Sequence, residues 1–300
     1  MTGLRFVCPQ TGALLKQVSD DVLYNTQNDT EYHRVDGIWR MLPAGRMEHY
    51  QKFITDYEMI RQAEGRGTAD THWYTSLPFP PPNTPFATDW RIRARSYEVL
   101  QQVLNTVPNQ HILDLGAGNC WLSNQLTEAG HHVVAIDLLT NAFDGLGAHE
   151  HYANTFTCIQ AEYDRLPLEQ AQFDVVIYNG AFHYANDYIC TLNEARRVLK
   201  PNGKIIIMDS PVYHDGHSGQ QMVKEREDHF ETTYGTRSDA LDAEHYLTYT
   251  RLKQISDDIG LDWQIHTPNY GWRWHLRPLK ARLRGHREPA KFHVIVGTFA

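Results

Sequence analysis

Residues 111–126 read H-I-L-D-L-G-A-G-N-C-W-L-S-N-Q-L, and the fold turns on the residues just past the acid at 114. The run ahead of the glycines is mostly apolar, as a strand covered on both faces has to be. Gly116 and Gly118 then break it before a helical stretch at 121–129. In an open parallel sheet such a turn sits at a strand's carboxyl end, where backbone can approach a ligand and a helix begins. A dinucleotide fingerprint would place a third glycine at 121, but Trp121 stands there, and no Gly-Lys-Ser/Thr comes after it to cradle a phosphate. A carboxylate at 114 would repel a pyrophosphate and attract a cation. The next apolar run, V-V-A-I-D, ends on Asp137, where a carboxylate can hold a ribose diol. The ligand expected here carries a ribose and a positive charge.

Working outward, short apolar runs alternate with helical stretches from about residue 108, the rhythm of an α/β sheet covered on both sides. Strands are expected at 111–115, 132–137, 156–159, 173–178, 204–209, 261–266 and 292–299, with helices at 90–104, 121–129, 188–199 and 243–259. Gly260 and Pro201-Asn202-Gly203 mark where helices should stop. Residues 210–242 interrupt the rhythm and are rich in Tyr, His and charge, which suits an insertion over a site at the strand ends. Upstream, 44–88 reads as a helical and proline-rich connector or lid containing L-P-F-P-P-P-N-T-P, and 1–43 as a small separate β unit.

The bulk properties set limits. The chain has 300 residues, 41% of them apolar, and a formal charge of −8, which disfavours a nucleic-acid partner. No apolar run approaches the roughly 20 residues of a membrane span, and the start M-T-G-L-R-F-V-C-P lacks a signal-peptide core, so a cytoplasmic protein with no membrane partner is expected. Cys8, Cys120, Cys158 and Cys190 form no C-x-x-C pair, so no metal site is expected. The His214, Asp215, His217 loop supplies too few ligands for one. Against the acidic average, 271–291 carries Arg273, Arg277, Lys280, Arg282, Arg284, Arg287 and Lys291 with Glu288 as its one acid, a local cationic face or simply a solvated helix surface.

These residues resemble the class I S-adenosylmethionine-dependent methyltransferases, of the type 11 kind. L-D-L-G-A-G-N-C looks like the family's first motif and A-I-D-L like its ribose-binding acid. Q-A-E-Y-D-R-L-P is similar to the loop bordering adenine, F-D-V-V-I-Y-N-G-A-F-H-Y to the fourth strand and its exit, and L-N-E-A-R-R-V-L-K-P-N-G-K-I-I-I-M-D to the helix, turn and fifth strand. The resemblance spans about residues 90–300 and implies a Rossmann-like sheet of seven strands, six parallel and the last antiparallel, in a domain at 89–300. It also implies S-adenosyl-L-methionine as cofactor and S-adenosyl-L-homocysteine as product. Carried across, Asp114, Gly116, Ala117 and Gly118 should embrace the methionine part, Asp137 the ribose hydroxyls, and Leu138 the adenine face. Glu162 should accept from the adenine amino group with the Tyr163 amide beside it, and Asn179 and Gly180 should line the sulfonium region. Cys120 departs from the family, standing where many members have a third glycine. Arg91, at the amino end of the helix before the first strand, could meet the cofactor's carboxylate.

The implied chemistry is in-line methyl transfer to an oxygen or nitrogen of a small molecule. His183, flanked by Phe182 and Tyr184 at the fourth strand's exit, is placed either to take the acceptor's proton or to pack over the cofactor; Tyr184 is its catalytic companion. The first 43 residues, F-V-C-P-Q-T-G-A-L and later Y-H-R-V-D-G-I-W-R-M-L-P, look like zinc-ribbon modules that accompany some methyltransferases, with Cys8 alone left of the ligands. Two alternatives stay open: an rRNA or tRNA base methyltransferase, and a non-catalytic S-adenosylmethionine-binding or partner-activating protein. So does a homo-oligomer.

Overall fold

The computed structural model of the chain describes residues 3–104 and 107–299. It opens with four short strands, β1 (Lys16–Ser19), β2 (Val22–Asn25), β3 (Thr30–Val35) and β4 (Ile38–Arg40), then three helices, α1 (Ala44–Ala63), α2 (Thr71–Ser76) and α3 (Ala87–Leu104). Strands and helices then alternate through β5 (His111–Leu115), α4 (Trp121–Glu128), β6 (His132–Asp137), β7 (Thr157–Gln160), β8 (Phe173–Asn179), α5 (Tyr188–Val198) and β9 (Leu199–Met208). The remainder is β10 (Val212–Tyr213), α6 (Gly216–Tyr234), β11 (Leu247–Thr248), α7 (Tyr249–Ile259), β12 (Leu261–His266), α8 (Trp272–His275), α9 (Arg277–Leu283) and β13 (Val294–Phe299).

The main sheet has eleven strands in the order β1-β2-β3-β4-β7-β6-β5-β8-β9-β13-β12. The seven expected strands are all present as its β7-to-β12 portion, with β13 antiparallel to both neighbours. The expectation of seven strands is nevertheless four too few. β4 pairs in parallel with β7, Trp39 opposite Ile159, so the amino-terminal strands continue the sheet at an edge that would otherwise be bare. The expected 210–242 excursion holds β10 and the 19-residue α6, which starts where the Asp215 carboxylate accepts from the Ser218 amide at 2.8 Å.

Alternation along the parallel strands explains the layers. Leu113, Leu115, Val134, Ile136, Val176, Ile205 and Ile207 face one side, where Leu192, Ala195 and Val198 of α5 and Leu252 and Ile255 of α7 cover them. Ile112, Ala135, Val175, Ile177, Ile206 and Met208 face the other, under Trp90, Tyr97, Leu100 and Leu104 of α3 and Trp121, Leu122 and Leu126 of α4. Each such aliphatic side chain is fully buried, worth about 2 kcal/mol apiece in removed apolar surface. This double cover buries both faces of the strands and leaves the carboxyl edge of β5, β6, β7 and β8 free to form a site.

Candidate functional site

At the end of β5 the chain bends through Gly116 (φ +73°) and Gly118 (φ +51°), left-handed conformations that favour glycine. The Gly116 and Ala117 amides donate to the Ile136 carbonyl at 2.8 and 3.1 Å, which fixes the bend against β6. A Cβ at Gly116 would sit 2.2 Å from the Ala181 Cβ and 2.6 Å from the Tyr163 hydroxyl, so the turn tolerates no side chain there. Cys120 takes the left-handed conformation too (φ +61°) and is fully buried, so it keeps the turn without a further glycine.

The bend opens onto a cleft of about 1100 Å³ including its mouth. Of the residues expected to bind a cofactor, Gly116, Ala117, Gly118, Asp137, Leu138, Glu162, Tyr163, Asn179 and Gly180 all line it, as does Tyr184. Asp137, at the tip of β6, accepts from the Gly118 amide on Oδ2 and the Leu139 amide on Oδ1, each at 2.8 Å. Burial pushes its carboxyl up to about 6, while those backbone donors pull the other way. The side-chain carbonyl of Asn179 is buried with no partner.

Three expected residues lie elsewhere. Asp114 is fully buried behind the turn rather than in the cleft. Its Oδ2 accepts from the Ser123 hydroxyl at 2.7 Å, its Oδ1 has no partner, and desolvation raises its carboxyl to about 7. Arg91 is exposed and outside the cleft. Arg93, two residues on, lines it instead, with its guanidinium 4.8 Å from the Trp90 ring centroid and no salt bridge among the described residues. The helical phase of α3 explains the exchange, because 93 falls on the buried face with Trp90, Tyr97, Leu100 and Leu104 while 91 falls off it. His183 is buried beside the cleft, Nδ1 3.1 Å from the Ser210 hydroxyl and its carbonyl accepting from the His245 amide. Desolvation, then the nearby His245 and Arg226, lower it to about 3, so the imidazole does not titrate near neutrality as expected. Its ring leans on Tyr184 at 4.4 Å between centroids, which positions the phenol.

The roof of the cleft is not announced by any motif. Tyr50, Phe53, Tyr57 and Arg61 lie on one face of α1 and all line the cleft. Arg46 fastens that helix down. Its Nε donates to both oxygens of Glu162 at 3.0 and 2.9 Å, its Nη2 donates to Oε2 at 2.5 Å, and the Tyr50 hydroxyl adds a bond to Oε2 at 2.9 Å. The carboxylate expected to read adenine is thus also the anchor of the roof, with Oε1 the less occupied oxygen. Arg61 pairs with Asp144 at the far end of the helix. From the other side Leu241 joins Tyr50 and Phe53, and Thr236 bonds Asp56 of α1 at 2.8 Å, so the segment after α6 closes over the same helix. The spacing of 50, 53 and 57 is a helical signal. It is a faint one, because α1 is polar on balance and carries no strong apolar stripe.

The profile of the family described as "Methyltransferase domain" matches residues 113–207. A malonyl-[acyl-carrier protein] O-methyltransferase of Erwinia billingiae is 33% identical over 98 residues, 32% of this chain and 38% of that protein. A demethylmenaquinone methyltransferase of Streptomyces griseus is 32% identical over 102 residues, 34% of this chain and 43% of its own length. The chain therefore spans about two fifths of the curated relatives it matches. Among solved structures, the YcgJ protein of Bacillus subtilis aligns with a TM-score of 0.52 at 13% identity over 69% of this chain and 98% of that one. An S-adenosylmethionine-dependent methyltransferase from Mesorhizobium loti aligns at 0.50 and 18% identity over 68% and 97%. Residues 113–207 are thus a match to the methyltransferase domain, set in a chain whose sheet has the α/β methyltransferase fold.

Proposed function

We propose that this chain is an S-adenosylmethionine-dependent methyltransferase acting on an oxygen or nitrogen of a small molecule. The observation that carries the proposal is the meeting, in one cleft, of the Gly116–Gly118 bend, the Asp137 carboxylate and the Arg93 guanidinium, which makes no salt bridge among the described residues though the Asp209 carboxylate acts on it through space. These groups suit the cofactor's parts: Asp137 the ribose, Arg93 the amino-acid carboxylate, the unpartnered Asn179 carbonyl the ammonium, and Glu162 Oε1 with the Tyr163 amide the adenine edge. When bound, the cofactor supplies a methyl group made electrophilic by its sulfonium.

The chain's own part is to align the acceptor and keep water out. Phe53, Tyr57, Tyr184 and Leu241 form an apolar wall facing the Asn179–Gly180 turn. Tyr184, held between Phe53, Tyr57, His183 and His245, offers a hydroxyl fixed from several sides and orients the acceptor. His183 acts on Tyr184 by packing. The chain's formal charge of −8 opposes a phosphate backbone, which favours a small molecule over RNA. Relatives named for malonyl-[acyl-carrier protein] and demethylmenaquinone lean the same way. We read residues 1–43 as ribbon-like, held by packing, since Cys8 is buried with its thiol 3.1 Å from the Tyr32 hydroxyl. The test is to incubate the chain with methyl-labelled S-adenosylmethionine and separate small-molecule and RNA fractions. Label in small molecules, lost in Gly116→Ala, is the expected result; label confined to RNA, or none with the cofactor bound, counts against it.

A further inference from the structure

The segment after Tyr270 wears its apolar side outward. Trp272, Leu276, Leu279 and Leu283 are 68%, 48%, 56% and 79% exposed, a cluster of solvent-facing large apolar side chains within twelve residues. α8 and α9 run nearly continuously, since Leu276 between them is itself helical and the Lys280 amide bonds its carbonyl at 3.0 Å. At about 100° per residue those four side chains fall within a stripe about 60° wide. Lys280 and Arg282 flank it at about 80° on either side, with Arg273 and Arg284 about 20–40° further round. On the opposite side Trp274 packs on Tyr270 and Phe292, at ring separations of 4.6 and 6.2 Å. The half-buried Tyr270 and Phe292 therefore take the back of this helix pair through Trp274 and leave its leucine stripe to the solvent.

The charges are as one-sided as the stripe. From Gly271 to Arg287 there is no acid, in a chain whose formal charge is −8. Arg287 is engaged by Glu225 at 2.7 Å, whereas Arg273, Lys280, Arg282 and Arg284 are exposed and make no salt bridge among the described residues. We propose that α8–α9 is an interfacial anchor that lies flat on an anionic lipid bilayer, leucines and Trp272 in the acyl boundary and the flanking cations among the headgroups. An apolar centre edged by Lys and Arg on both sides matches a layer that is anionic outside and hydrocarbon inside. A phosphate backbone would satisfy the cations but leave the leucines in water. A second copy packed on the same face would set the like charges against each other. No helix among the described residues is long and apolar enough to cross a membrane, so the contact is peripheral.

The experiment is flotation of the full chain with vesicles of phosphatidylglycerol and phosphatidylcholine in equal parts, and with phosphatidylcholine alone. Binding is expected to the first and not the second, weakening as salt is raised. Leu279→Asp with Leu283→Asp should abolish it. Lys280→Glu with Arg284→Glu should lower the partition by more than about tenfold. All four positions are exposed, so the circular dichroism and melting of both variants should match the parent. Failure to float with the anionic vesicles overturns the proposal, as does flotation that both variants retain. Capture of RNA or of an acidic carrier protein, lost in these variants while vesicles stay unbound, overturns it in favour of that partner.

Discussion

The clasp between Arg46 and Glu162 makes a sharp quantitative test of the roof. Glu162 is 3% exposed and takes three donor contacts from one guanidinium at 2.5–3.0 Å plus the Tyr50 hydroxyl, while the Arg46 side chain remains 33% exposed. Charge-assisted bonds of this kind are worth about 1.5–3 kcal/mol net, and the partial exposure of Arg46 argues for the lower half of that range. Arg46→Ala leaves a buried carboxylate with the phenol as its remaining side-chain partner and should cost about 3 kcal/mol. Glu162→Gln removes the charge and lets Arg46 turn to water, costing about 1 kcal/mol. The double variant should cost about 2 kcal/mol instead of the additive value of about 4, for a coupling energy of about 2 kcal/mol. Urea unfolding of the four proteins at pH 7.5 measures it. Because the same clasp holds Tyr50, Phe53 and Tyr57 over the cleft, Arg46→Ala should also weaken cofactor binding, by about thirtyfold at most for 2 kcal/mol. A coupling below about 0.5 kcal/mol, or an Arg46→Ala protein as stable as the parent, would refute the view that this ion pair fastens α1.

Three further outcomes are expected. Gly116→Ala forces a methyl to within 2.2 Å of Ala181 at φ +73° and should cost about 2–4 kcal/mol of stability, read by thermal unfolding; a neutral effect would mean the turn is looser than described. Asp114, raised to about 7 in the fold against an ordinary carboxylate near 4, ionises first in the unfolded chain, so its contribution to stability falls as pH rises from about 4 to about 7. Asp114→Asn should remove that slope, matching the parent near pH 4 and exceeding it by up to about 4 kcal/mol at pH 8; a parallel pH profile would contradict the burial argument. Arg93→Ala should raise the dissociation constant for S-adenosylmethionine by about 10–100-fold with Arg91→Ala unchanged, and the reverse order in calorimetry would restore the exposed arginine to the site.

Most of the catalytic layer is legible in the sequence because its signals are local. Five apolar runs set β5 to β9, and the residues at their carboxyl ends, Gly116, Asp137, Glu162 and Asn179, have nowhere to go but the same edge. The illegible parts depend on distant pairing or on helical phase. β4 has three residues, and nothing in Ile38-Trp39-Arg40 announces a parallel partner at 158–160. Nearness to the helix start favours Arg91, whereas the apolar phase of α3 selects Arg93. His183 keeps the expected address at the strand exit, but its ring turns to Ser210 and is desolvated, which a sequence position cannot reveal. The cations of 271–291 are visible as charge; the outward leucines need the fold to show which side is already covered.

The central claim is that the Gly116–Gly118 bend and Asp137 hold S-adenosylmethionine. Isothermal titration of the chain with that nucleoside at pH 6 and pH 8, in buffers of different ionisation enthalpy, tests it most directly. The predicted result is one site per chain, lost in Gly116→Ala, with protons released at pH 6 as the cationic ligand favours the ionised form of Asp137. Absence of binding at millimolar nucleoside, or binding that Gly116→Ala leaves intact, would contradict it.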